Sequence, residues 1–290
     1  EKAKETDAEL VMASDPDADR VGAAVKNNEG EWVLLNGNQT ALMFVYYLIT
    51  RWKELGKING KEYIVKTIVT TETIKTIAER NGVEMYDVYT GFKWIANVMR
   101  ENEGKKNYIG GGEESYGFLC EDFVRDKDAV SACVILAEIA AWAKDQGLSL
   151  YQLLQKIYVE YGFSKEKGIS VVKKGKSGAE EIEAMMKKFR ENPLTEIAGS
   201  KVTYFYDYST LKGKDYAENE TVTLDMPTTS NVLQYFTEDN TKVSIRPSGT
   251  EPKIKFYCEV HSKVKSIDEL PEAEKAAEEK INQIKASLGI

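Results

Sequence analysis

The sequence predicts a mixed α/β fold, in which a region with a parallel α/β sheet is followed by an α+β domain with an antiparallel sheet. Across residues 63–145, apolar runs with strand character alternate with helical segments, which is the pattern of a parallel sheet. Beyond Gly162, short strands with alternating polar and apolar residues precede a charged helix at the end of the chain, which is typical of an antiparallel sheet.

The composition indicates an ordinary globular chain. Its 290 residues are 42% hydrophobic, which suffices for two or three domains with separate cores. The 39 Lys and Arg residues against 47 Asp and Glu residues give a net charge of -8, which argues against a general binder of nucleic acid or membrane surfaces. Three cysteines without zinc spacing predict reduced thiols and a cytoplasmic protein. The single histidine, His261, argues against a catalytic triad or a His-rich metal site.

The most apolar stretch, residues 129–143, predicts a buried helix. It contains Ser131 and Glu138 and is shorter than the ~20 residues that a membrane crossing needs. The chain opens on Glu1 without a charged-then-apolar signal segment, and we interpret this start as that of a fragment.

The first part of the chain is predicted to hold a polar loop between strands. An apolar run at 8–13 precedes this loop, and turn residues at 27–30 separate two further strands. The predicted strands are 21–26 and 32–35, and a helix covers 40–49 and runs toward Leu55.

The parallel region follows from residue 63. Its predicted strands are 63–70, 83–88 and 108–109, and its predicted helices are 72–80, 93–101 and about 128–145. Ligands of such sheets bind at the carboxyl ends of the strands, where residues 90–93 and 111–115 fall.

The last region begins after Gly162. We predict a helix near 177 in which Ser177 and Glu180 form a capping box. Predicted strands are 169–173, 202–206, 221–224, 232–236, 242–245 and 254–260, and a charged helix starts near Pro271. The predicted domains are 1–58, 59–164 and 165–290.

Asp15, Asp17 and Asp19 alternate along a short loop, which we name the aspartate loop (residues 15–20). Three carboxylates that close repel one another unless a hard cation lies between them, and the spacing suits Mg²⁺. An EF-hand would need Gly and Glu where Arg20 and Lys26 stand. A solvated acidic turn is the alternative.

Residues 246–250, the arginine loop, have the composition of an anion cradle. Arg246 supplies a guanidinium, Ser248 and Thr250 supply hydroxyls, and Gly249 allows a close approach of the backbone, so phosphate is the expected guest. A plain turn between two strands is the alternative.

Two further segments carry candidate residues. The glycine-rich stretch 110–117 places carboxylates and a hydroxyl on a flexible backbone that could bind a sugar diol, and it lacks the spacing of a nucleotide-binding phosphate loop. We name residues 113–117 the glutamate loop. Lys93 is either a cation that contacts phosphate or a solvated lysine in the first turn of a helix.

In combination, these motifs resemble the signature loops of the α-D-phosphohexomutases. The sequences at 15–20, 112–117 and 246–252 occur in the family's order, and 37–39, 67–71, 91–93 and 125–128 extend the resemblance over nearly the whole chain. Family members have four domains, and this chain resembles the back of the second followed by the third and fourth.

The resemblance implies a role for each matching residue. Asp15, Asp17 and Asp19 would hold Mg²⁺, Arg20 would support the phosphoserine region, Glu113 and Ser115 would contact sugar hydroxyls, Lys93 would lie near the reacting groups, and Arg246, Ser248, Gly249 and Thr250 would grip a phosphate. Pro16 and Ala18, where many relatives carry glycine, match the branch with bacterial phosphoglucomutases and phosphopentomutases. Glucose is the expected sugar, with mannose and ribose phosphates as alternatives.

The chain departs from the family in one respect. The family's nucleophile is a serine in a Ser-His-Asn loop, and His261 stands outside any such motif. The resemblance implies an isomerase that interconverts glucose 1-phosphate and glucose 6-phosphate through glucose 1,6-bisphosphate, and we expect this chain alone to be inactive. A non-catalytic phosphosugar-binding protein and a metal-dependent phosphatase are the alternatives.

Overall fold

The structure of the protein, a computed structural model, describes residues 1–249 and 251–290. Its internal contacts divide the chain into two units, Glu1–Gly162 and Phe163–Ile290. The mixed α/β fold class is confirmed, because the first unit contains a sheet with parallel strands and the second contains an antiparallel sheet.

The first unit begins with a three-stranded antiparallel sheet. After a short helix, α1 (Lys2–Glu5), the strands are β1 (Leu10–Ser14), β2 (Val21–Lys26) and β3 (Trp32–Leu35). Ser14 lies opposite Val21, so the aspartate loop is the connection of a β-hairpin. The predicted strands at 21–26 and 32–35 are confirmed, since β2 alternates buried and half-buried residues as a one-sided strand should.

A four-stranded sheet with the order β5-β4-β6-β7 forms the rest of this unit. Strand β4 is parallel to β5 and β6, whereas β7 is antiparallel to β6. The strands are β4 (Glu62–Thr67), β5 (Glu84–Val88), β6 (Asn107–Gly112) and β7 (Phe118–Cys120). The helices are α2 (Gly37–Glu54), α3 (Thr73–Arg80), α4 (Phe92–Asn102), α5 (Ala129–Asp145) and α6 (Leu150–Tyr161).

Strand β6 is longer than the sequence predicted. The prediction ended it at 109 and gave residues 110–112 to a flexible loop, which is wrong because these three glycines continue the strand and are buried. A Cβ atom at Gly111 would lie 2.3 Å from the carbonyl oxygen of Val65 on β4. Glycine is therefore needed for close packing of the strands.

Helix ends follow their capping residues. Asn36 and Gln39 form a capping box at the start of α2, and Asp128 caps α5 with bonds from two backbone amides. The capping box predicted at Ser177 and Glu180 is wrong. The helix there, α7 (Gly175–Glu191), begins earlier, and its N-cap residue Lys174 makes no side-chain bond.

The second unit is built on one large antiparallel sheet with the order β12-β11-β10-β13-β14-β15-β8, and β9 pairs with β10. Its strands are β8 (Phe163–Val172), β9 (Glu196–Ile197), β10 (Ser200–Asp207), β11 (Lys212–Asp215), β12 (Glu220–Thr223), β13 (Leu233–Thr237), β14 (Lys242–Pro247) and β15 (Lys253–Ser262). Besides α7, it contains a 3-10 turn (Ile267–Glu269) and the closing helix α8 (Leu270–Leu288). Among the described residues, none of the helices combines the length and the apolar character of a membrane span.

Candidate active site

The aspartate loop is held by hydrogen bonds to its own first carboxylate. Asp15 Oδ1 accepts the backbone amides of Asp19 and Arg20 at 3.1 and 3.0 Å. Its Oδ2 accepts Nε of Arg20 at 2.9 Å, and the guanidinium completes an ion pair through Nη2 at 2.9 Å. Partial burial acts to raise the pKa of Asp15, but the amide and guanidinium bonds outweigh it and hold this pKa below its usual range.

The other two aspartates differ in their surroundings. Asp17 is exposed, whereas Asp19 lies half-buried, with Lys127 Nζ 3.1 Å from its Oδ2. Asp19 Oδ1 is buried without a hydrogen-bond partner and lies 3.5 Å from Nε of Arg20. A buried carboxylate oxygen without a hydrogen bond fits a cation ligand, and the donor set of three carboxylates suits Mg²⁺.

The three carboxylates do not converge in this geometry. Within residues 1–249 and 251–290, no group of three His, Cys, Asp or Glu side chains is arranged to hold a metal ion. Asp15 instead forms an ion pair with Arg20, and Asp19 forms one with Lys127. The assignment of Asp15, Asp17 and Asp19 as Mg²⁺ ligands stays a prediction.

The glutamate loop connects β6 to β7 and is closed by a bond from Glu113 N to the Gly117 carbonyl at 2.9 Å. Glu113 is buried, and its Oε1 accepts the backbone amide of Gly91 at 2.7 Å. The Glu114 amide donates to Thr70 Oγ1 at 3.2 Å. Ser115 is exposed. Of the two residues predicted to contact sugar, Ser115 therefore faces solvent and Glu113 fixes the neighbouring turn.

The aspartate and glutamate loops lie side by side. The Val21 amide donates to the Tyr116 carbonyl at 3.2 Å, and Arg20 forms an antiparallel bridge with Gly117. Both loops contain a non-glycine residue with left-handed backbone, Ala18 at φ 54° and Tyr116 at φ 74°. The fold thus brings together two segments that are about 95 residues apart in the sequence.

Lys93 lies in the first turn of α4, directly after Gly91 and Phe92. Its side chain is exposed, and Nζ lies 4.9 Å from the centroid of the Trp94 ring. The bond between Gly91 and Glu113 places this turn against the glutamate loop. The position agrees with either alternative for Lys93, a contact with a ligand or a solvated cation.

Sequence reasoning assigned no role to Lys127. Its Nζ contacts Asp19 Oδ2, lies 3.3 Å from Asp126 Oδ1 and sits 5.5 Å from the centroid of the Phe92 ring. Burial acts to lower the pKa of Lys127, but the bonds to Asp19 and Asp126 outweigh it and raise this pKa above its usual value. The only sequence signal was its place in the stretch 125–128, which resembles the family.

The arginine loop belongs to the second unit, at the end of β14. Arg246 is half-buried and lies opposite Lys255 on β15, and the Ser248 amide donates to the Lys253 carbonyl at 2.7 Å. Gly249 is exposed, and Thr250 lies outside the described residues. A cavity of about 640 Å³ adjoins the loop. Its lining includes Pro247, Ser248 and Gly249 together with Lys187 and Arg190 of α7.

Comparisons with known proteins show similarity to one family over most of the chain. The alpha/beta/alpha domain III of phosphoglucomutase/phosphomannomutase matches residues 36–161, and the C-terminal domain of the same family matches residues 170–277. A phosphoglucomutase of Staphylococcus aureus strain MRSA252 is 38% identical over 257 residues, which is 89% of this chain and 46% of that protein. The chain thus spans about half the length of the curated relatives it matches.

Two solved structures share the fold. A phosphoglucomutase/phosphomannomutase family protein from Burkholderia thailandensis superposes with a TM-score of 0.60 at 18% identity, covering 99% of this chain and 48% of that one. A phosphoglucomutase from Paramecium gives a TM-score of 0.59 at 17% identity, covering 97% and 46%. On the family matches, the chain belongs to the phosphoglucomutase/phosphomannomutase family and carries its domain III and C-terminal domain.

Proposed function

We propose that the chain is part of a phosphoglucomutase that interconverts glucose 1-phosphate and glucose 6-phosphate through glucose 1,6-bisphosphate. The observation that carries this proposal is the contact between the aspartate and glutamate loops, made through Val21, Tyr116 and the bridge of Arg20 with Gly117. A reaction that moves a phosphoryl group on a sugar needs a cation site and a hydroxyl-binding site next to each other. Phosphomannomutase and phosphopentomutase activities are the alternatives within the same chemistry.

Each loop contributes a separate function to this proposal. Asp15, Asp17 and Asp19 would hold Mg²⁺, which when bound supplies positive charge to the transferring phosphoryl group. Arg20 would support the region of the phosphoserine, and Lys93 would lie near the reacting groups. Glu113 fixes the turn at Gly91, so Ser115 is the more accessible of the two sugar-binding candidates.

The arginine loop would hold the phosphate that is not transferred. Arg246, Ser248, Gly249 and Thr250 supply a guanidinium, hydroxyls and backbone amides for charge-assisted hydrogen bonds. Holding this phosphate would fix the sugar while the other end reacts, which lowers the entropic part of the barrier. The same loop could accept the sugar in both orientations, because it contacts only the phosphate.

The activity of this chain alone is the first test. The nucleophilic serine of the family stands in a Ser-His-Asn loop, and no such sequence occurs in the 290 residues. We therefore expect no formation of glucose 6-phosphate from glucose 1-phosphate in an assay coupled to a dehydrogenase. A longer protein that contains the serine loop should be active, and Asp17→Asn in that protein should strongly reduce kcat. Turnover by the purified chain would contradict the proposal.

Phosphosugar binding is the second test and needs no residue outside this chain. In an NMR titration with glucose 6-phosphate, the amides of Ser248 and Gly249 should shift at lower concentrations than the amide of Glu113. A single charge-assisted contact contributes only about 1.5 to 3 kcal/mol, so we expect weak binding, near the roughly 4 kcal/mol of a millimolar complex. Arg246→Ala should abolish the shifts, and Lys144→Ala, which removes an equal charge from the first unit, should not. Shifts that persist in the Arg246 variant would show that the arginine loop is misassigned.

A further inference from the structure

Lys127 contacts three segments of the first unit, which are the aspartate loop, the glutamate loop and the start of α4. Its ammonium contacts Asp19 of the aspartate loop and lies over the ring of Phe92, which follows Gly91. Its aliphatic stem lies on Gly117 of the glutamate loop, where a Cβ atom would come within 2.1 Å of Lys127 Cδ. Backbone contact reinforces this junction, because the Ala129 amide donates to the Ala18 carbonyl at 3.0 Å.

The Lys127 ammonium is paired with the Asp19 carboxylate, which a divalent cation in the aspartate loop would need as a ligand. Lys127 Nζ is 3.1 Å from Asp19 Oδ2, and its side chain is only 16% exposed, so solvent screens this contact incompletely. A divalent cation bound to Asp19 would repel an ammonium at that distance. The two cations are therefore alternative partners of Asp19.

The Lys127 ammonium also lies close to a second carboxylate, that of Asp126. Asp126 Oδ1 is 3.3 Å from Lys127 Nζ, and the Asp126 side chain is 75% exposed and stands outside the aspartate loop. A small rotation of the lysine side chain would move its charge from Asp19 toward Asp126 without leaving it unpaired. The buried Asp19 Oδ1, which has no hydrogen-bond partner, would then have only the Arg20 guanidinium, 3.5 Å away, as a competing positive charge when a divalent cation binds.

We propose that Lys127 is an exchangeable counter-ion of the aspartate loop, which pairs with Asp19 until a divalent cation binds and then moves toward Asp126. This inference rests on the proposed Mg²⁺ site. Because the lysine stem lies on Gly117 and its ammonium over Phe92, the exchange transmits cation binding to the glutamate loop and to the start of α4. Lys127 would thus act as a positioning residue, because it affects the glutamate loop and the start of α4.

The test is cation affinity of the 290-residue chain, measured by calorimetry with Mg²⁺ and by paramagnetic broadening of the amides of 17–20 with Mn²⁺. Lys127→Met should tighten binding by roughly three- to tenfold, because a competing cation is lost. Lys127→Arg should bind like the original protein. If Lys127 only stabilised the structure, its replacement by Met would weaken cation binding. Tighter binding therefore indicates the counter-ion role, and weaker binding indicates a purely structural one.

Two further variants sharpen the test. Gly117→Ala should also tighten binding, because the added methyl group displaces the Lys127 stem without changing the net charge. Lys144→Met removes the same charge from the far end of α5, where Lys144 pairs with Glu9, and should leave the affinity unchanged. If Lys144→Met tightens binding as much as Lys127→Met, the effect is one of net charge and the inference is overturned.

Asp17→Asn distinguishes a failure of the inference from a failure of the proposed function. If this variant weakens cation binding while Lys127→Met leaves it unchanged or weakens it, the aspartate loop binds the cation and only the counter-ion role of Lys127 is overturned. If Asp17→Asn has no effect, or if Mn²⁺ broadens no amide of 17–20 in any variant, the Mg²⁺ site itself is misassigned and both proposals fail.

Discussion

Single residues in the two adjoining loops adopt unusual backbone conformations. Ala18 and Tyr116 both have positive φ, which non-glycine residues rarely adopt and which costs about 1–3 kcal/mol. Each lies next to candidate ligands, Ala18 between Asp17 and Asp19 and Tyr116 after Ser115. In each of these two loops, the strained residue stands where the chain turns sharply beside polar side chains.

Ala18→Gly tests this reading of the aspartate loop. Glycine adopts left-handed backbone without steric cost, so the variant should leave the free energy of unfolding unchanged or raise it by up to about 1 kcal/mol, despite the greater entropy of the unfolded chain. Ala13→Gly, in the neighbouring strand β1, should instead lower it by about 0.5–1 kcal/mol. Urea unfolding measures both, and an equal loss in the two variants would contradict the prediction.

Glu62 is a buried carboxylate at the start of β4. Its Oε2 accepts the amides of Asn59, Gly60 and Lys61 at 2.7, 2.9 and 3.1 Å, and Asn107 donates to Oε1. Burial acts to raise the pKa of Glu62, but these hydrogen bonds outweigh it and lower this pKa. A lowered pKa in the folded state means that the ionised group stabilises the protein at neutral pH and that this stabilisation is lost as pH falls through its pKa.

Glu62→Gln should therefore destabilise the protein by about 1–2 kcal/mol at pH 7, since charge-assisted bonds to backbone amides become neutral ones. The difference from the original protein should shrink as the pH approaches 3. Urea unfolding at several pH values measures it, with the exposed Glu79→Gln as control. A difference that does not vary with pH would contradict the assigned ionisation.

At the scale of elements, the N-terminus of α2 sets the position of the glutamate loop. A Cβ atom at Gly37 would lie 2.0 Å from the Glu114 carbonyl oxygen and 2.7 Å from the Tyr116 amide, and both atoms belong to backbone that cannot rotate away. The helix therefore begins with glycine for reasons of close approach, and its capping box at Asn36 and Gln39 fixes where it begins.

Gly37→Ala should lower the free energy of unfolding by about 1–3 kcal/mol, the usual cost of overpacking. It should also shift the NMR signals of Ser115 and Tyr116. Gly22→Ala is the matched control, because the nearest atom to its Cβ would be the Ala13 carbonyl oxygen at 3.9 Å, and its signals and stability should change little. Equal effects of the two substitutions would show that backbone contact at Gly37 is not limiting.

Most elements with clear local signals were predicted from the sequence, with α6 as an exception, and an element defined by tertiary contacts was not. Strand β2 has regular alternation and helix α5 has Asp128 as its cap, and both were predicted closely. Strand β11 (Lys212–Asp215) is polar and glycine-containing, and it was not predicted because only pairing with its neighbours makes it a strand. Helix α6 (Leu150–Tyr161) was not predicted, although its capping box of Ser149 and Gln152 is a readable signal.

The candidate site divides in the same way. Motif composition pointed to the aspartate, glutamate and arginine loops, and the structure describes where all of their predicted residues lie except Thr250. The contact of Lys127 with Asp19 joins residues 108 positions apart and depends on the packing of α5, so no local pattern could predict it. The part-buried hydrogen bond from the Gly91 amide to Glu113 also depends on tertiary packing.

At the scale of the whole molecule, each unit has a core of its own. Ile95 of α4 is fully buried in the first unit, in a cluster with Tyr63 and Val65 of β4, and Ile245 of β14 is fully buried in the second. We expect Ile95→Ala and Ile245→Ala each to cost about 2–5 kcal/mol within the unit that carries the substitution. Hydrogen exchange should show lost protection in that unit alone, and loss across both units in either variant would mean that they unfold together.

The hydrogen bonds that fix Glu113 and Glu114 in the glutamate loop have a consequence for how sugar preference would evolve under the proposed function. Glu113 and the backbone of Glu114 are committed to holding neighbouring segments, while the side chains of Ser115 and Tyr116 face outward. Mutations at the first pair disturb the architecture and are expected to be purged by selection, whereas mutations at the second pair can accumulate. If the chain has the proposed function, a descendant lineage would change its sugar preference by exchanging these two neighbouring side chains while it keeps the same scaffold.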